Sequence, residues 1–456
     1  MTDDWANSGV DLHLDLAATG SRRRALEQAI REAIRSGRLA PRTRLPPTRA
    51  LATELGLARN TVAAAYEQLT AEGYLSARVG SGTRVVGLPH RPAPVTPPAT
   101  AAAPRLDLRP GSPDVTTFPV DAWLRATRRA LARAPASAYD YGDPRGRPEL
   151  RTALAEYLGR ARGVLADPER ILICSGYVQA LSLLVRLTGG PIAMEDPGLT
   201  FHRDVVRHAG AEVLPLPVDA DGARTDLLDG GVRAAVLTPA HQYPTGVTLR
   251  ATRRHAAVAW ARDHGGLVIE DDYDGEFRYD RQPVGALQGM APEHVVYIGT
   301  AAKTLGPALR LAWMVLPDHL VEPITQAKRL TDLHTETLGQ LALADLIAEH
   351  GYDRHIRACR LRYRRRRDLL VERIGRHHRL DGIAAGLQAL IRLPAGLTED
   401  EAVARASAHG LALAALSPHH VTPGGGPDTQ GLVIGYATPA PSAYPAAVDA
   451  LARAIR

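Results

Sequence analysis

The sequence predicts a multidomain chain: a small α+β head of three helices and a hairpin, then a large α/β body that ends in a smaller lobe. Three observations predict it. Positive charge gathers in residues 21–88, which hold twelve Arg and five Glu, a balance of +7 in a chain whose whole formal charge is +6. Six Pro and five Ala occupy the sixteen positions 89–104, with no hydrophobic period. Beyond them, short apolar runs alternate with amphipathic stretches to the C-terminus.

At roughly 150 residues per domain, 456 residues are room for two or three. With 45% apolar and 23% charged residues the composition is that of a globular chain and excludes wholesale disorder. No apolar run approaches the ~18 residues of a membrane helix and no signal-like N-terminus is visible, so a cytoplasmic location is expected. Only Cys174 and Cys359 occur, which indicates neither a disulfide framework nor a cysteine zinc site, and no metal is expected. Lysine is scarce. Of 55 basic residues only Lys303 and Lys328 are lysines. Arginine supplies plain positive charge but cannot form an imine with an aldehyde, so a retained lysine draws notice.

In the head (residues 1–88), Leu26, Ile30 and Ile34 mark one face of a first helix ending at Ser36-Gly37. Leu45-Pro46-Pro47-Thr48 sets a turn, and Thr48 is expected to N-cap a second helix carrying Leu51 and Leu55. Gly56-Leu57 breaks it. A third helix starts near Ala58, with Val62, Tyr66 and Leu69 buried and Arg59-Asn60-Thr61 at its exposed start. Two helices joined by a short glycine-containing turn, the second with a polar, basic start, form a helix-turn-helix. Its first residues are those that reach base edges: Arg suits guanine, Asn adenine, and Thr either bases or phosphate. Residues 74–78 and 83–86 read as a small hairpin, or wing, around Val79-Gly80-Ser81-Gly82.

The run "SGRLAPRTRLPPTRALATELGLARNTVAAAYEQLTAEGYLSARVGSGTRV" closely resembles the GntR-type winged helix-turn-helix. That likeness implies binding to a double-stranded DNA operator. It places Arg49, Arg59, Asn60 and Thr61 against DNA, with Thr48 beside them and Arg44, Gly80 and Ser81 near phosphates. The Pro/Ala-rich residues 89–105 read as a semi-rigid linker.

In the body (residues 106–456), Ile171–Cys174, Pro191–Met194, Glu212–Leu216, Ala234–Leu237, Leu267–Glu270 and Val295–Ile298 read as short buried strands. Helical stretches such as Tyr177–Leu187, Phe201–Ala209 and Arg250–Asp263 fall between them, a rhythm that means a largely parallel sheet. From about residue 340 a long basic helix, strand–helix alternation and a terminal helix near 442–455 read as the smaller lobe. Arg360, Arg362 and Arg364–Arg367 read as a solvated face of that long helix.

Three clusters carry chemistry. Glu270-Asp271-Asp272-Tyr273 puts carboxylates and a phenol at a strand end. Gly299-Thr300-Ala301-Ala302-Lys303-Thr304 follows, with Arg310 beyond. Ser175-Gly176-Tyr177 ends a strand and opens a helix, so its amides can cradle a phosphate. Pyridoxal phosphate needs this set: a lysine for the imine, a carboxylate for the pyridinium nitrogen, a phenol for the ring oxygen, cations and helix-terminal amides for the phosphate. Strand carboxyl ends are where an open α/β sheet places its ligands.

The body resembles the fold-type I aminotransferases. With its "PAHQYPTGVTL", "VIEDDYDGEFRY" and "YIGTAAKTLGPALRLAWMVLP" runs behind a GntR-type head, the chain looks like the MocR/GabR regulators. The resemblance implies that Lys303 is the Schiff-base lysine and Asp271 the partner of the pyridine nitrogen. It gives Tyr273 the ring hydroxyl oxygen and gives Thr300 and Arg310 the phosphate, with Gly176, Tyr177 and Tyr243 also at the cofactor. Tyr141 matches the tyrosine that reaches the phosphate across a dimer interface, which implies a head-to-tail homodimer.

Four positions depart from the family pattern. Leu199 replaces an aromatic after Asp196-Pro197-Gly198, Tyr243 an asparagine on the ring oxygen, and Ala302 the serine before the lysine. In "GLVIGYA", Val433 falls at the arginine that clamps a substrate carboxylate in aminotransferases. Arg203 is a conceivable substitute, but it reads as a surface-helix residue. A complete cofactor site beside an incomplete substrate site implies a sensor: a bacterial regulator, on the nucleoid when bound to DNA. It is expected to respond to pyridoxal phosphate, so controlling vitamin B6 genes, or to an amine or amino acid through an aldimine. A working aminotransferase with an appended DNA-binding head is the alternative, and a body that binds no cofactor is a third reading.

Overall fold

A computed structural model describes residues 21–78, 82–87, 104–279, 284–421 and 429–456. The expected linker, up to residue 103, and the wing residues Gly80 and Ser81 lie outside the described residues. The chain divides into two compact units, Met1–Ala101 and Ala102–Arg456.

The first unit holds α1 (Arg22–Arg35), α2 (Thr48–Leu55) and α3 (Arg59–Ala71), then β1 (Leu75–Arg78) paired antiparallel with β2 (Gly82–Val85). Leu26, Ile30, Leu51, Val62 and Leu69, each at most 1% exposed, form its core. The Tyr66 hydroxyl donates to the Pro46 carbonyl at 3.0 Å, tying α3 to the turn that leads into α2. Thr48 does not cap α2. Pro47 takes the N-cap position and no side chain bonds the free amides there, because the proline pair pre-sets the backbone and Thr48 already lies inside the helix. Gly56, at φ 62°, closes α2 in the left-handed conformation that glycine adopts at no steric cost.

The second unit opens with β3 (Leu106–Asp107), α4 (Val120–Arg133), α5 (Pro148–Arg162), β4 (Ile171–Cys174), α6 (Tyr177–Thr188), β5 (Ile192–Asp196), α7 (Thr200–His208), β6 (Val213–Asp219), β7 (Gly222–Ala223) and β8 (Ala234–Leu237). It continues through α8 (Ala251–His264), β9 (Leu267–Asp271), β10 (Val295–Thr300), β11 (Ala312–Val315), α9 (Asp318–Asp332), α10 (Thr337–Ala348) and α11 (Gly351–Ile374). The central sheet has eight strands in the order β4-β11-β10-β9-β8-β5-β6-β7. Its middle, from β10 to β6, is parallel; β11 and β7 run antiparallel. Strands β4, β8, β9 and β10 are buried at every residue, the pattern of a sheet covered on both faces. The parallel crossovers bring the carboxyl ends of β5, β8, β9 and β10 to one edge, where they open a cavity.

The smaller lobe is built from both ends of the body rather than from residue 340 onward. Strands β12 (Leu380–Asp381), β13 (Gln388–Ile391), β15 (Ala414–Ala415) and β16 (Leu432–Gly435) form an antiparallel sheet, with α12 (Glu399–Ala408) and α13 (Tyr444–Ala454) packed on it. Strand β14 (Leu411–Ala412) pairs in parallel with β3, so the chain enters the body through this lobe.

Helix α11 joins the two lobes. Its buried residues, Tyr352, Ile356, Cys359, Tyr363, Arg366, Leu370 and Ile374, recur at three- and four-residue steps; the first two belong to the large lobe's core and the later apolar ones to the small lobe's. Arg366 sits on that same stripe and is not on the solvated face. It donates to Asp114 at 2.8 Å and to the Ala437 carbonyl at 2.8 Å, between the rings of Tyr363 and Tyr444. Both members of this ion pair are at least nine-tenths buried. Among the described residues no helix is long and apolar enough to cross a membrane.

Arg366→Met strands the Asp114 carboxylate in the interior. It is expected to cost about 3–5 kcal/mol, read as a lower denaturation midpoint of the body. Adding Asp114→Asn to that variant removes the stranded charge and should recover part of the loss.

Candidate functional site

The cavity at the strand ends has a volume of about 300 Å³. Among the sequence-predicted residues, Gly176, Tyr177, Tyr243, Asp271, Tyr273, Thr300, Lys303 and Arg310 line it together.

The run Glu270-Asp271-Asp272 carries three buried carboxylates, and the structure tells them apart. Glu270 accepts the Leu287 and Gln288 amides at 2.8 and 2.9 Å. Asp272 accepts Arg162 through Nε at 2.7 Å and the Tyr297 hydroxyl at 2.7 Å. Asp271 alone faces the cavity, and its buried Oδ1 has no hydrogen-bond partner. Burial pushes its carboxyl well above the usual range and the charge of Asp272 adds to that. The Tyr177 hydroxyl and the Lys303 ammonium act the other way. Tyr177 stands close enough to exert that pull, yet its hydroxyl is buried without a hydrogen bond of ordinary geometry.

Lys303 follows β10, and its amine donates to the Gly111 carbonyl. Burial lowers its proton affinity, opposed by the carboxylates of Asp274 and Asp271. Thr300 shapes the turn before it: its hydroxyl donates to the Leu311 carbonyl at 3.3 Å and accepts the Ala302 amide at 3.1 Å. Arg310 has φ 53°, a left-handed conformation unusual for a residue with a side chain. Its guanidinium lies over Gly176, where a Cβ would stand 2.5 Å from Nη2. Gly176, at φ 115°, thus serves as N-cap of α6 and leaves room for that cation.

Tyr273 lies at the other side. Its hydroxyl accepts from Gln388 Nε2 at 2.6 Å and stands 3.2 Å from His241 Nδ1, which is 2.9 Å from Asp274. Tyr243 packs edge-on against His419 with ring centroids 5.2 Å apart. Leu199 lines the cavity without an aromatic ring, while Tyr177 stacks on His202 at 4.4 Å between centroids, so α6 and α7 supply the aromatic surface. Tyr141 is 82% exposed and does not line the cavity.

Arg203 is not a surface-helix residue. It is 2% exposed, lines the cavity, and donates to the carbonyls of His419 and Glu195, each at 2.8 Å, and to Asp196 at 3.1 Å. Three acceptors, two at the end of β5 and one in the smaller lobe, draw it in. Val433 is fully buried among Leu390, Leu416, Tyr243 and Ala414 and contributes no charge.

In the first unit, Arg44, Arg49, Arg59 and Asn60 are exposed, while Thr48 and Thr61 are half-buried. Arg59, Asn60 and Thr61 form the opening of α3, which bears no acidic residue in its first turn. Arg44 reaches the wing, its Nε lying 3.0 Å from where a Cβ on Gly82 would stand. The result is a basic surface at a helix start, suited to phosphates and base edges.

The aminotransferase class I and II family model matches residues 106–424, and that for bacterial regulatory proteins of the gntR family matches residues 22–85. The probable rhizopine catabolism regulatory protein MocR of Rhizobium meliloti is 35% identical over 459 residues, covering 93% of this chain and 92% of the relative. The chain belongs to the MocR-type transcriptional regulators. A second relative, the HTH-type pyridoxine biosynthesis transcriptional regulator PdxR of Corynebacterium glutamicum, is 34% identical over 420 residues, covering 90% of this chain and 91% of its own. Among solved structures, the α-aminoadipate aminotransferase LysN of Thermus thermophilus matches with a TM-score of 0.68 and 27% identity over 77% of this chain and 92% of that one.

The cofactor of this MocR-type body is pyridoxal phosphate, and the residues present fit it. An orphaned buried carboxylate, a cavity-facing lysine of lowered proton affinity and an arginine over a glycine-opened helix start match its pyridine nitrogen, aldehyde and phosphate. Four lining or supporting residues escaped the sequence reading: Glu195, His202, His241 and Gln388. Glu195, which burial pushes up to about 6, accepts the Thr238 amide at 3.1 Å beneath the cavity. Gln388 opens β13 in the other lobe, more than a hundred residues from Tyr273, and no local pattern announces it.

Gly176→Ala forces a side chain into a positive-φ position and against Arg310. It is expected to weaken pyridoxal phosphate binding on the order of ten-fold, about 1.4 kcal/mol, measured by equilibrium titration with the helix content unchanged.

Proposed function

We propose that this regulator works as a homodimer whose body reads pyridoxal phosphate and whose two winged heads hold an operator. The observation that carries the reading is Asp271 Oδ1, buried without a hydrogen-bond partner in the same cavity as Lys303. When bound, the cofactor supplies an aldehyde for one amine and an electron-poor ring. Lys303 provides that amine, and its burial keeps a larger share of it unprotonated and nucleophilic. Asp271 holds a proton on the pyridine nitrogen, an interaction that offsets its desolvation. Tyr273, steadied by Gln388 and His241, bonds the ring oxygen, with Tyr243 beside it. Gly176 and Tyr177 offer amides at the start of α6 and Arg310 a cation to the phosphate. Thr300 holds the turn that aims Lys303.

Tyr141 is taken to complete the phosphate site of the partner subunit in a head-to-tail dimer. Val120 and Leu124 on α4 and Leu338 on the adjoining α10 are exposed apolar residues consistent with such an interface. On DNA, Arg59, Asn60 and Thr61 read base edges, and Arg44, Thr48, Arg49, Gly80 and Ser81 position the backbone. Cofactor occupancy biases the dimer geometry, and so the spacing of the two heads. The natural signal is then pyridoxal phosphate itself and the targets vitamin B6 genes, in a cytoplasmic protein that joins the nucleoid when bound to DNA. Val433 supports sensing over turnover, since a working aminotransferase needs a clamp for the substrate carboxylate.

Adding pyridoxal phosphate to purified wild type should produce a visible absorbance band that Lys303→Ala lacks. A band that survives in Lys303→Ala would refute the assignment. On DNA selected by the wild type from a random pool, Asn60→Ala is expected to cost about 1–3 kcal/mol of sequence discrimination in fluorescence anisotropy. Arg44→Ala should weaken all sequences alike and flatten the salt dependence.

A further inference from the structure

The substrate side of the cavity says what could share it with the cofactor, given the reading that Lys303 and Asp271 hold pyridoxal phosphate. A ligand carboxylate entering a buried site needs a cation or a set of free hydrogen-bond donors to offset the loss of its hydration. Four described lining residues could carry positive charge: Lys303, Arg310, Arg203 and His202. Lys303 serves the aldehyde, and Arg310 sits over Gly176 at the phosphate end. Arg203 already donates to His419, Glu195 and Asp196 of its own chain, which leaves only Nε without a partner. His202 is stacked on Tyr177; burial, and secondarily the charge of Lys303, lower its pKa to about 3, so the ring is neutral.

The rest of the lining brings no further cation: its neutral donors are engaged, Thr238 with Glu195 and Gln388 with Tyr273, and the remainder is largely apolar. Leu199, Leu311, Leu387 and Tyr243 line the cavity, and behind Tyr243 Val433 is packed with Leu390 and Leu416, each at most 1% exposed. At about 300 Å³ the volume lies at the lower end for small-molecule sites, so any tail beside the cofactor is short.

We propose that the cavity accepts, beside the cofactor, a short primary monoamine with an apolar tail and rejects the α-amino acid of the same tail. In the exchange the amine nitrogen forms the C=N bond to the cofactor's aldehyde carbon and the bond from that carbon to Lys303 Nζ breaks. The two protons lost by the incoming amine end on Lys303, and no oxidant, reductant or water is consumed. The neutral tail lies against Leu199, Leu387 and Tyr243; among the described lining residues the one cation not assigned to the cofactor, Arg203, is already held by His419, Glu195 and Asp196.

The test loads the full chain with pyridoxal phosphate and titrates two matched pairs that differ only by the carboxylate: n-butylamine against norvaline, and phenethylamine against phenylalanine. Borohydride reduction followed by intact-protein mass spectrometry reads how much cofactor has left Lys303, and free pyridoxal phosphate treated alike gives the intrinsic preference of each pair. Relative to that reference, each amine should displace Lys303 at concentrations at least ten-fold lower than its amino acid. Leu199→Arg, which adds a cation at the mouth, should shift the ratio toward the acid. Equal or better displacement by the amino acids would overturn the proposal while leaving the cofactor reading intact. A wild-type chain that carries no reducible adduct on Lys303 would overturn both.

Discussion

A buried carboxylate oxygen without a hydrogen-bond partner is among the least favourable groups a protein can hold, and Asp271 Oδ1 is one. The two acidic neighbours on its strand show the alternative, since Glu270 is met by backbone amides and Asp272 by Arg162 and Tyr297. Leaving an oxygen of the middle one unmet, with only the charge of Lys303 acting from the same cavity, suits a donor that comes from outside the chain. The surrounding architecture keeps that carboxylate turned to the cavity: parallel strands deliver Asp271, Thr300 and Gly176 to one edge, and the turn after β10 brings the lysine across from it. Because the folded state alone binds the cofactor, loading adds to the stability of the whole body by mass action.

The need to satisfy buried polar groups also governs how the lobes are joined. Helix α11 contributes residues to both cores, so its register links their positions. Nearer the cavity, the small lobe's Pro418 and His419 carbonyls accept Thr200 and Arg203 from the large lobe, and the Val421 amide donates to Asp196. An arginine that lines the cavity is thus engaged in holding the chain to itself. The cavity floor belongs to the large lobe, while Gln388 reaches Tyr273 from the small one. Whatever fills the cavity therefore touches both.

Much of this was legible in advance. Buried strands appear as unbroken apolar runs, and two of them, β9 and β10, lengthen at their carboxyl side into Asp271 and Thr300, which line the cavity. The head was readable because its motif is short and local. What escaped was set by contacts distant in sequence. Arg203 and Arg366 are charged residues that belong in solvent until acceptors from residues 419 and 114 are brought to them. The small lobe's use of Leu106–Asp107 is a pairing over three hundred residues apart, invisible to any window. Thr48 shows the opposite failure, a sound local rule displaced by the prolines before it.

The scarcity of lysine has a consequence for signal quality. Exposed amines attack aldehydes, and a regulator studded with surface lysines would collect stray adducts in proportion to its surface rather than its site. Here the other lysine, Lys328, is fully buried and bonded to Asp332 at 2.8 Å, while arginine carries the remaining basic charge. Among side chains, then, a carbonyl compound finds one reactive nitrogen. Composition removes most competing amines and burial of Lys328 removes another, so imine chemistry on side chains is confined to the cavity.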